Sequence, residues 1–269
     1  MQQITTIFSA QIEQEAQQAL ANFLTPPSKP LSETEQSLLD QAISFSIPFG
    51  AIDINAFKWG IGKTIMLVHG WGGYGLQLAE FVSPLLAAGY QVLAFDAPAH
   101  GRTSGVQTNG FELAQAIATV TQNQGPIEGI IAHSLGAAST TFALSEGMKT
   151  AKVVYIGASC WLSNAAITFA KRARLTTEVK EAFWNLFEKQ FGKDVWQRLA
   201  VDRTAKNLSI PVLLFHDRRD REVSFEESVG IAQSWSGAHL IETVGLGHRR
   251  ILQDNAVIQQ TVDFLTTPI

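Results

Sequence analysis

The chain has 269 residues, and its composition excludes several classes of protein. Apolar residues make up 46% of it and charged residues 16%, which is typical of a globular protein with a sizeable core and unlike a disordered chain. The formal net charge of −4 argues against nucleic acid as a partner, because phosphate backbones attract basic surfaces.

The first residues and the cysteine content predict a cytoplasmic protein. The start of the chain lacks the basic residues and apolar run of a signal peptide, and no apolar run is long enough for stable insertion in a membrane. Cys160 is the single cysteine, so no internal disulfide can form, which fits a reducing compartment.

Residues 1–44 are predicted to form a helical extension. Apolar residues recur at helical spacing between Ile12 and Phe23, and the segment PPSKP then ends the helix. Ser32 and Glu35 have the pattern of a capping box before a second, shorter helix. A β-like stretch, SIPFGAIDINAFKWG, follows and begins the main domain.

From Thr64 onward, short apolar runs alternate with amphipathic segments, and this pattern predicts strands alternating with helices. The predicted strands are TIMLVH, YQVLAFD, IEGIIAH, KVVYIGAS, PVLLFHD and AHLIETVG. The predicted helices are LQLAEFVSPLLAAG, FELAQAIATVTQNQG, SLGAASTTFALSEG, SFEESVGIAQSW and RRILQDNAVIQQTVDFL. The alternation predicts an α/β fold with a mostly parallel central sheet and helices on both faces.

The same alternation divides the chain into a core and an insert. Residues 45–159 and 210–269 are predicted to form the α/β core, and residues 160–209 a helical insert between two of its strands. Ligands bind at the carboxyl ends of the strands in a parallel sheet. Residues directly after each strand are therefore the candidates for function.

Ser134 stands in the sequence A-H-S-L-G at a predicted strand-to-helix turn. A sharp turn of this kind projects the middle residue above the sheet and needs small residues two positions away, here Ala132 and Gly136. The usual pattern has glycine at both places, and alanine is the smallest alternative. The turn predicts a nucleophilic serine, and the other interpretation is a serine that only caps a helix.

Two further loops carry groups that can activate a serine. His248 follows the last predicted strand, and Asp217 and Asp220 follow the strand before it. Nucleophile, acid and base then occur in the order expected for a triad on this type of sheet. Either aspartate can orient the histidine, and the other interpretation of both is a solvated turn residue among arginines.

The glycine-rich loop from Gly70 to Gly75 follows the first predicted strand of the alternation. The backbone N–H groups of Trp71 and Leu135 are the candidates to bind the negative oxygen of a tetrahedral intermediate. Two such donors form an oxyanion hole beside Ser134.

The same loop also fits a dinucleotide site. Gly70, Gly72 and Gly75 satisfy the motif G-x-G-x-x-G between a strand and a helix, and Asp96 ends the next strand, where a ribose-binding acid would stand. This alternative gives no role to Ser134 or to the histidine and aspartate loops. The hydrolase interpretation explains all of them and is favoured.

The motifs jointly resemble the α/β-hydrolase superfamily. The matching segments are HGWGG for the oxyanion loop, FDAPAHGRTS after the next strand, AHSLG for the nucleophile, HDRRDREV for the acid and GH for the base. The resemblance covers residues 45–269. It implies that Ser134 is the nucleophile, His248 the base and Asp220 the acid.

The resemblance also places the other polar residues. Asp217 stands where the family often has glycine, and it remains an alternative acid. Cys160 is expected to be a small buried residue rather than a nucleophile. Loop-shaping roles are implied for Asp96, His69 and His100. Positions in the core or at the surface are expected for His133, His216 and His239.

The expected activity is hydrolysis of a carboxylic ester or thioester through an acyl-enzyme, without a metal or an organic cofactor. An amide or a carbon–carbon bond next to a carbonyl is a further possible substrate for a serine of this family. Residues 160–209 resemble the family's cap, and we expect an apolar acyl group to contact Trp161 and Trp184. The alternatives are a non-catalytic binding protein of the same fold and a dinucleotide-binding protein.

Overall fold

A computed structural model of the protein describes residues 8–268. Residues 1–7 of the predicted N-terminal extension therefore lie outside the described residues. Within the described range, no helix combines the length and the apolar character needed to cross a membrane.

Eight strands form one sheet at the centre of the described chain. They are β1 (Ile43–Phe49), β2 (Ile52–Trp59), β3 (Thr64–Val68), β4 (Gln91–Phe95), β5 (Ile127–His133), β6 (Lys152–Ile156), β7 (Val212–Asp217) and β8 (Ala238–Thr243). Their order across the sheet is β1-β2-β4-β3-β5-β6-β7-β8. The pairs β1–β2 and β2–β4 are antiparallel and all others are parallel, which confirms the predicted α/β fold.

The β-like stretch SIPFGAIDINAFKWG contains a turn and forms most of a hairpin. Phe49 at the end of β1 pairs with Ile52 at the start of β2. Gly50 makes the turn between them with a φ of +59°, a left-handed conformation that glycine adopts without a steric penalty. The hairpin thereby adds two antiparallel strands to one edge of the parallel sheet.

Helices cover the sheet and form the insert. In the described chain they are α1 (Ala10–Leu24), α2 (Glu33–Asp40), α3 (Val82–Ala87), α4 (Gly110–Gln124), α5 (Leu135–Ser145), α6 (Leu162–Arg172), α7 (Thr177–Phe191), α8 (Val195–Arg198), α9 (Val201–Thr204), α10 (Phe225–Ser234), α11 (Gly247–Arg250) and α12 (Asn255–Thr266). Short 3₁₀ turns cover Ala79–Phe81, Ala205–Asn207 and Ile251–Gln253. The predicted capping box of Ser32 and Glu35 is present at the start of α2.

Two of the predicted helices are interrupted. The segment LQLAEFVSPLLAAG contains only a 3₁₀ turn and α3, since Leu76 and Leu78 reach the core from an irregular loop. Pro84 lies in the first turn of α3, where its missing N–H removes no helical hydrogen bond. In the closing segment, the Asp254 side chain accepts two N–H groups of α12 and so starts a new helix after α11.

The sheet is buried on both faces, as its apolar strands require. Successive residues of a strand point to opposite faces. Ile130 of β5 accordingly packs in a cluster with α4 and α5, and Ile131 packs in a second cluster with α3 and α12. Every residue of β3 is buried, which is expected of a strand covered on both sides.

The predicted insert forms α6 to α9 between β6 and β7, and we call it the cap. Its core is continuous with the N-terminal extension. Phe183 and Phe187 of α7 belong to one apolar cluster with Ala16 and Leu20 of α1. The N-terminal helix is thus packed into the cap, which the sequence did not indicate.

We predict that Phe183→Ala destabilises the protein by about 3–5 kcal/mol, because truncating a buried aromatic residue leaves a cavity. Phe183 is 0% exposed in the cluster that joins α1 to the cap. Denaturant unfolding followed by circular dichroism measures the change. Lys180→Ala, at an exposed position of the same helix, is the control and should shift the free energy of unfolding by no more than about 0.5 kcal/mol. Equal stability of the two variants would contradict this packing.

Candidate active site

Ser134 lies between the end of β5 and the start of α5 on a strained backbone. Its φ of 54° and ψ of −122° form a conformation that residues with a side chain rarely adopt, at a cost of about 1–3 kcal/mol. Gly136 permits the close approach of this turn to the next loop, because a Cβ there would lie 2.5 Å from the carbonyl oxygen of His69. Ala132 is buried within β5, so the sharp turn forms despite the departure from glycine at that position.

His248 and Asp220 are joined by a short hydrogen bond. His248 Nδ1 lies 2.6 Å from Asp220 Oδ2, and both side chains are buried. Because the carboxylate accepts, Nδ1 carries the hydrogen and Nε2 is left for proton transfer. Asp220 Oδ1 accepts the backbone N–H groups of Glu222 at 2.7 Å and Val223 at 3.0 Å. These bonds fix the orientation of the carboxylate and, through it, the tautomer of the histidine.

The pKa of the Asp220 carboxyl is held below its usual range. Burial by itself raises that pKa, because it disfavours the charged form. Hydrogen bonds from His216 and His248 favour the carboxylate and outweigh burial. Asp220 is therefore ionised throughout the range in which an ordinary histidine titrates.

Asp217 has different partners. Its Oδ1 accepts the backbone N–H of Arg219 at 2.8 Å. Its Oδ2 accepts the hydroxyl of Thr243 at 2.9 Å and the backbone N–H of Leu246 at 2.8 Å. Asp217 therefore ties the loop that carries Asp220 to the loop that precedes His248. Of the two candidate acids, the structure brings only Asp220 into contact with the histidine.

His216 is a residue of this site that the sequence analysis did not identify. Its Nε2 lies 3.4 Å from Asp220 Oδ2 and 3.1 Å from the carbonyl oxygen of Val223, and its Nδ1 lies 2.7 Å from Ser228 Oγ. A carbonyl oxygen only accepts, so Nε2 carries the hydrogen and directs it toward Asp220 as well. The signal in the sequence was a histidine at the end of the strand that leads into the acid loop.

His133 also contacts the site instead of lying elsewhere in the core. Its Nε2 donates to the carbonyl oxygen of His248 at 3.0 Å, and the two rings lie with centroids 4.5 Å apart. Burial lowers the pKa of His133 well below its usual value, so the ring is neutral. His133 thereby supports the backbone from which the candidate base projects. His239 is exposed on β8.

The N–H groups on either side of Trp71 in the glycine loop donate to side chains. The N–H of Gly70 donates to Gln77 Oε1 at 2.8 Å, and the N–H of Gly72 donates to His100 Nε2 at 3.1 Å. Between them, the N–H of Trp71 has no acceptor among the described residues. This pattern distinguishes Trp71 from its neighbours as a candidate donor to a ligand.

Leu135 offers the second candidate N–H. It is the first residue of α5, where a backbone N–H has no acceptor within the helix. The loop and the turn are close together, because a Cβ added to Gly70 would lie 2.9 Å from the Cβ of Ser134. The two predicted oxyanion donors therefore belong to segments that meet beside Ser134.

Neutral histidines shape the loop around these donors. His69 Nε2 accepts the N–H of Ala97 at 3.0 Å, and its Nδ1 donates to the carbonyl oxygen of Gly70 at 2.8 Å. Burial lowers the pKa of His69 to about 4. Burial and the neighbouring His69 lower the pKa of His100 to about 3. Both rings can therefore accept a backbone N–H, as the loop requires.

The loop geometry argues against the dinucleotide alternative. Asp96 is 3% exposed, and its two carboxylate oxygens accept the N–H of Gly75 at 2.6 Å and that of Arg102 at 2.8 Å. An acid used in this way is not directed at a ribose. The first helical turn after the loop begins only at Ala79, so the glycines do not lead directly into a helix as a pyrophosphate site requires.

Other chemistry has little support in the described chain. Across residues 8–268, no group of three or more His, Cys, Asp or Glu side chains is arranged to hold a metal ion. Cys160 is buried, and burial raises the pKa of its thiol to about 12. A thiol with that pKa is a poor nucleophile at neutral pH.

A cavity of about 410 Å³ opens above Ser134 and His248. Trp71 and Leu135 line it beside them, and the end of α1, the start of α4 and the cap enclose it. The cap contributes mainly apolar side chains, among them Leu162, Phe169, Phe187 and Phe191. The site is thus a pocket that combines the polar groups of Ser134 and His248 with a largely apolar lining from the cap.

Trp161 and Trp184 do not line this cavity. Trp161 lies against α10, where a Cβ on Gly230 would be 2.8 Å from its ring. Trp184 stacks on Trp196 with ring centroids 5.2 Å apart, within the cap. Phe187 of the same helix is buried in the cap and also lines the cavity. Spacing along one helix could not show which face turns toward Ser134.

Comparison with known proteins agrees with this geometry. The sequence pattern of a family described as "Alpha/beta hydrolase family" matches residues 65–260. This range includes the glycine loop, Ser134, Asp220 and His248.

The chain belongs to the alpha/beta hydrolase family. Among solved structures, an esterase of Pyrococcus furiosus, Pf2001, is 23% identical with a TM-score of 0.66, and the match covers 89% of this chain and 98% of the esterase. The esterase RhEst1 from Rhodococcus sp. ECU1013 is 18% identical with a TM-score of 0.65 and coverages of 84% and 99%. A thioesterase domain from the curacin biosynthetic pathway is 16% identical with a TM-score of 0.62 and coverages of 84% and 99%. No protein with a curated description matched the sequence of this alpha/beta hydrolase. At these identities the likeness shows the shared fold.

We predict that Asp220→Asn lowers kcat roughly 10³–10⁴-fold, because an amide in place of the carboxylate favours the wrong tautomer of His248. Asp217→Asn is the matched control and should lower kcat much less, since Asp217 contacts the loops and not the histidine. Steady-state kinetics on any ester that the protein hydrolyses provides the measurement. A larger loss in Asp217→Asn, with both variants folded, would exchange the roles of the two acids.

A second prediction concerns stability and pH. Burial raises the pKa of Asp217, but hydrogen bonds from Leu246, Arg219 and Thr243 outweigh it, and the folded-state pKa is lowered. The resulting stabilisation is complete above the unfolded-state pKa of about 3.9 and is lost as pH falls through the lower folded-state pKa. Asp217→Asn should therefore be less stable than the wild type at pH 7, and the difference should shrink below about pH 4.

Chemical denaturation at pH 7, 5 and 3 measures this difference. Asp53→Asn, at an exposed position of β2, is the control and should change the free energy of unfolding little at any of the three. A difference between Asp217→Asn and wild type that stays constant from pH 7 to pH 3 would show that the charge of Asp217 does not stabilise the fold.

Proposed function

We propose that the protein is a serine hydrolase that cleaves carboxylic esters or thioesters with an apolar acyl group. One observation carries the proposal. His248, held by Asp220 at 2.6 Å, lines the same cavity as Ser134, which projects from a strained turn. A nucleophile, a base and an oriented acid are the groups that this chemistry requires.

The proposed reaction starts with proton transfer from Ser134 to His248. As Nε2 accepts the hydroxyl proton, Ser134 Oγ forms a bond to the acyl carbon and the carbonyl electrons move to its oxygen. Collapse of this intermediate breaks the bond to the leaving group, which takes the proton from His248. Water then attacks the acyl-enzyme with His248 as base again, and the acid product leaves with Ser134 restored.

Asp220 and the backbone stabilise the charges that develop. Asp220, ionised and 2.6 Å from His248 Nδ1, stabilises the positive charge that forms on the imidazole when it accepts the serine proton. The N–H groups of Trp71 and Leu135 are the proposed donors to the negative oxygen. Losing one such donor typically costs roughly 3–4 kcal/mol of transition-state stabilisation.

The apolar side chains that the cap contributes to the cavity support an apolar acyl group. Phenylalanine and leucine side chains of the cap line the same cavity as Ser134 and His248. Esterases and a thioesterase domain are among the solved structures with this fold, which supports both classes of leaving group as candidates. We propose a cytoplasmic location, which a free and buried Cys160 supports.

We predict that a fluorophosphonate probe labels Ser134, because the turn exposes its hydroxyl beside a base. Intact mass followed by peptide mapping locates the label. Ser134→Ala should abolish both labelling and hydrolysis of p-nitrophenyl esters, and Ser159→Ala, at another serine of the same cavity, is the control and should keep both. Labelling that persists in Ser134→Ala would assign the nucleophile elsewhere. A wild type that neither reacts with the probe nor hydrolyses an ester or thioester would favour a binding protein.

A further inference from the structure

We propose that α1 forms one wall of the acyl-binding part of the cavity and that Phe23 on this wall determines how tightly a longer apolar chain is held. The inference rests on the proposed function, which supplies the acyl group. Phe23 and Leu24, at the end of α1, line the same cavity as Ser134 and His248. An N-terminal segment therefore reaches the candidate catalytic groups.

Phe23 is fixed in place by the cap. Its ring packs edge-on against Phe169, Phe183 and Phe187, with centroids 5.2 Å, 5.7 Å and 5.8 Å away. Contacts of this kind are favourable beyond the area that they bury. The ring is nevertheless only half-buried, and it lines the cavity. Phe23 is thus a rigid apolar surface with one side in the cap and another available to a ligand.

The chain after Phe23 is attached to the α/β core. The carbonyl oxygen of Leu24 accepts the N–H of Thr108 at 2.9 Å, just before α4. Pro27 lies against the glycine loop, because a Cβ on Gly72 would be only 2.6 Å from its ring. The end of α1 consequently spans the gap between the cap and the loop that carries the proposed oxyanion donor.

The end of α1 contributes apolar surface to the part of the cavity where an acyl chain would bind. Phe23 extends the apolar surface formed by Phe187 and Phe191 of the cap. A methylene that moves from water onto such a surface tightens binding roughly fourfold. The segment of the chain that matches the alpha/beta hydrolase family, residues 65–260, does not include α1. The N-terminal extension therefore contributes to the preference of this protein for acyl chains of a given length.

The test measures binding separately from turnover. Butanoate and octanoate, the products expected from short and longer esters, are titrated by calorimetry into wild type, Phe23→Ala, Phe23→Trp and Gln17→Ala. Gln17 is exposed on the same helix and serves as the matched control. Hydrolysis of p-nitrophenyl butanoate and octanoate by the same four proteins is measured in parallel, and circular dichroism verifies that each is folded.

We expect wild type and Gln17→Ala to bind octanoate more tightly than butanoate. Phe23→Ala should reduce this preference about fourfold for each methylene that loses contact, and Phe23→Trp should weaken octanoate selectively because its larger ring shortens the pocket. If Phe23→Ala does not fold, Phe23→Trp decides alone. The ratio of kcat/KM for the two esters should change in the same direction.

Two outcomes would overturn the inference. One is a wild type that does not prefer octanoate, and the other is a preference that stays the same in the folded Phe23 variants. An equal loss of affinity for butanoate and octanoate counts as the second outcome, because it would show that Phe23 has a structural role only. Loss of preference in the Phe23 variants of a protein that hydrolyses neither ester would support the wall and count against the serine hydrolase, so the two failures are distinguishable.

Discussion

The carboxylate of Asp220 is the group on which the rest of the candidate site depends. It is buried, it accepts two backbone N–H groups, and it lies within reach of two histidines. A buried charge is tolerated only when such partners replace its hydration. The same bonds that offset the cost of burial also aim His248 at the cavity. The hydrogen bonds of the Asp220 carboxylate therefore both stabilise the acid loop and orient His248.

Hydrogen bonds from backbone N–H groups to side chains fix the loops around the site. Asp217 connects the acid loop to the base loop, and Gln77 fixes the glycine loop at Gly70. Each of these side chains accepts a backbone N–H that would otherwise be unpaired. An unpaired N–H buried in a loop would destabilise the fold. The N–H of Trp71 has no acceptor among the described residues, and it follows Gly70, which lies close to Ser134.

Much of this arrangement could be predicted from the sequence, because the order of motifs along the chain encodes the order of loops at the sheet edge. Ser134, His248 and the acid loop stand directly after strands, where a parallel sheet brings them together. The choice between Asp217 and Asp220 required the hydrogen-bond partners, which no local pattern contains. His216 was missed for the same reason, since its role depends on contact with Asp220.

The cap shows a different limit of sequence reasoning. Trp184 was expected to contact the acyl group, but it stacks on Trp196 within the cap, whereas Phe187 of the same helix lines the cavity. The face of a helix that meets a ligand is decided by its packing partners. Here one of those partners is α1, which is separated from α7 in the sequence by most of the α/β core.

That separation affects the order in which the protein can assemble during synthesis. Helix α1 leaves the ribosome before α6 and α7, the helices that bury its apolar side, which are made only after β6. An isolated helix of this length is marginally stable in water. Helix α1 is thus held in place only after α6 and α7 have been made, and the cavity that Phe23 lines closes only at that stage of folding.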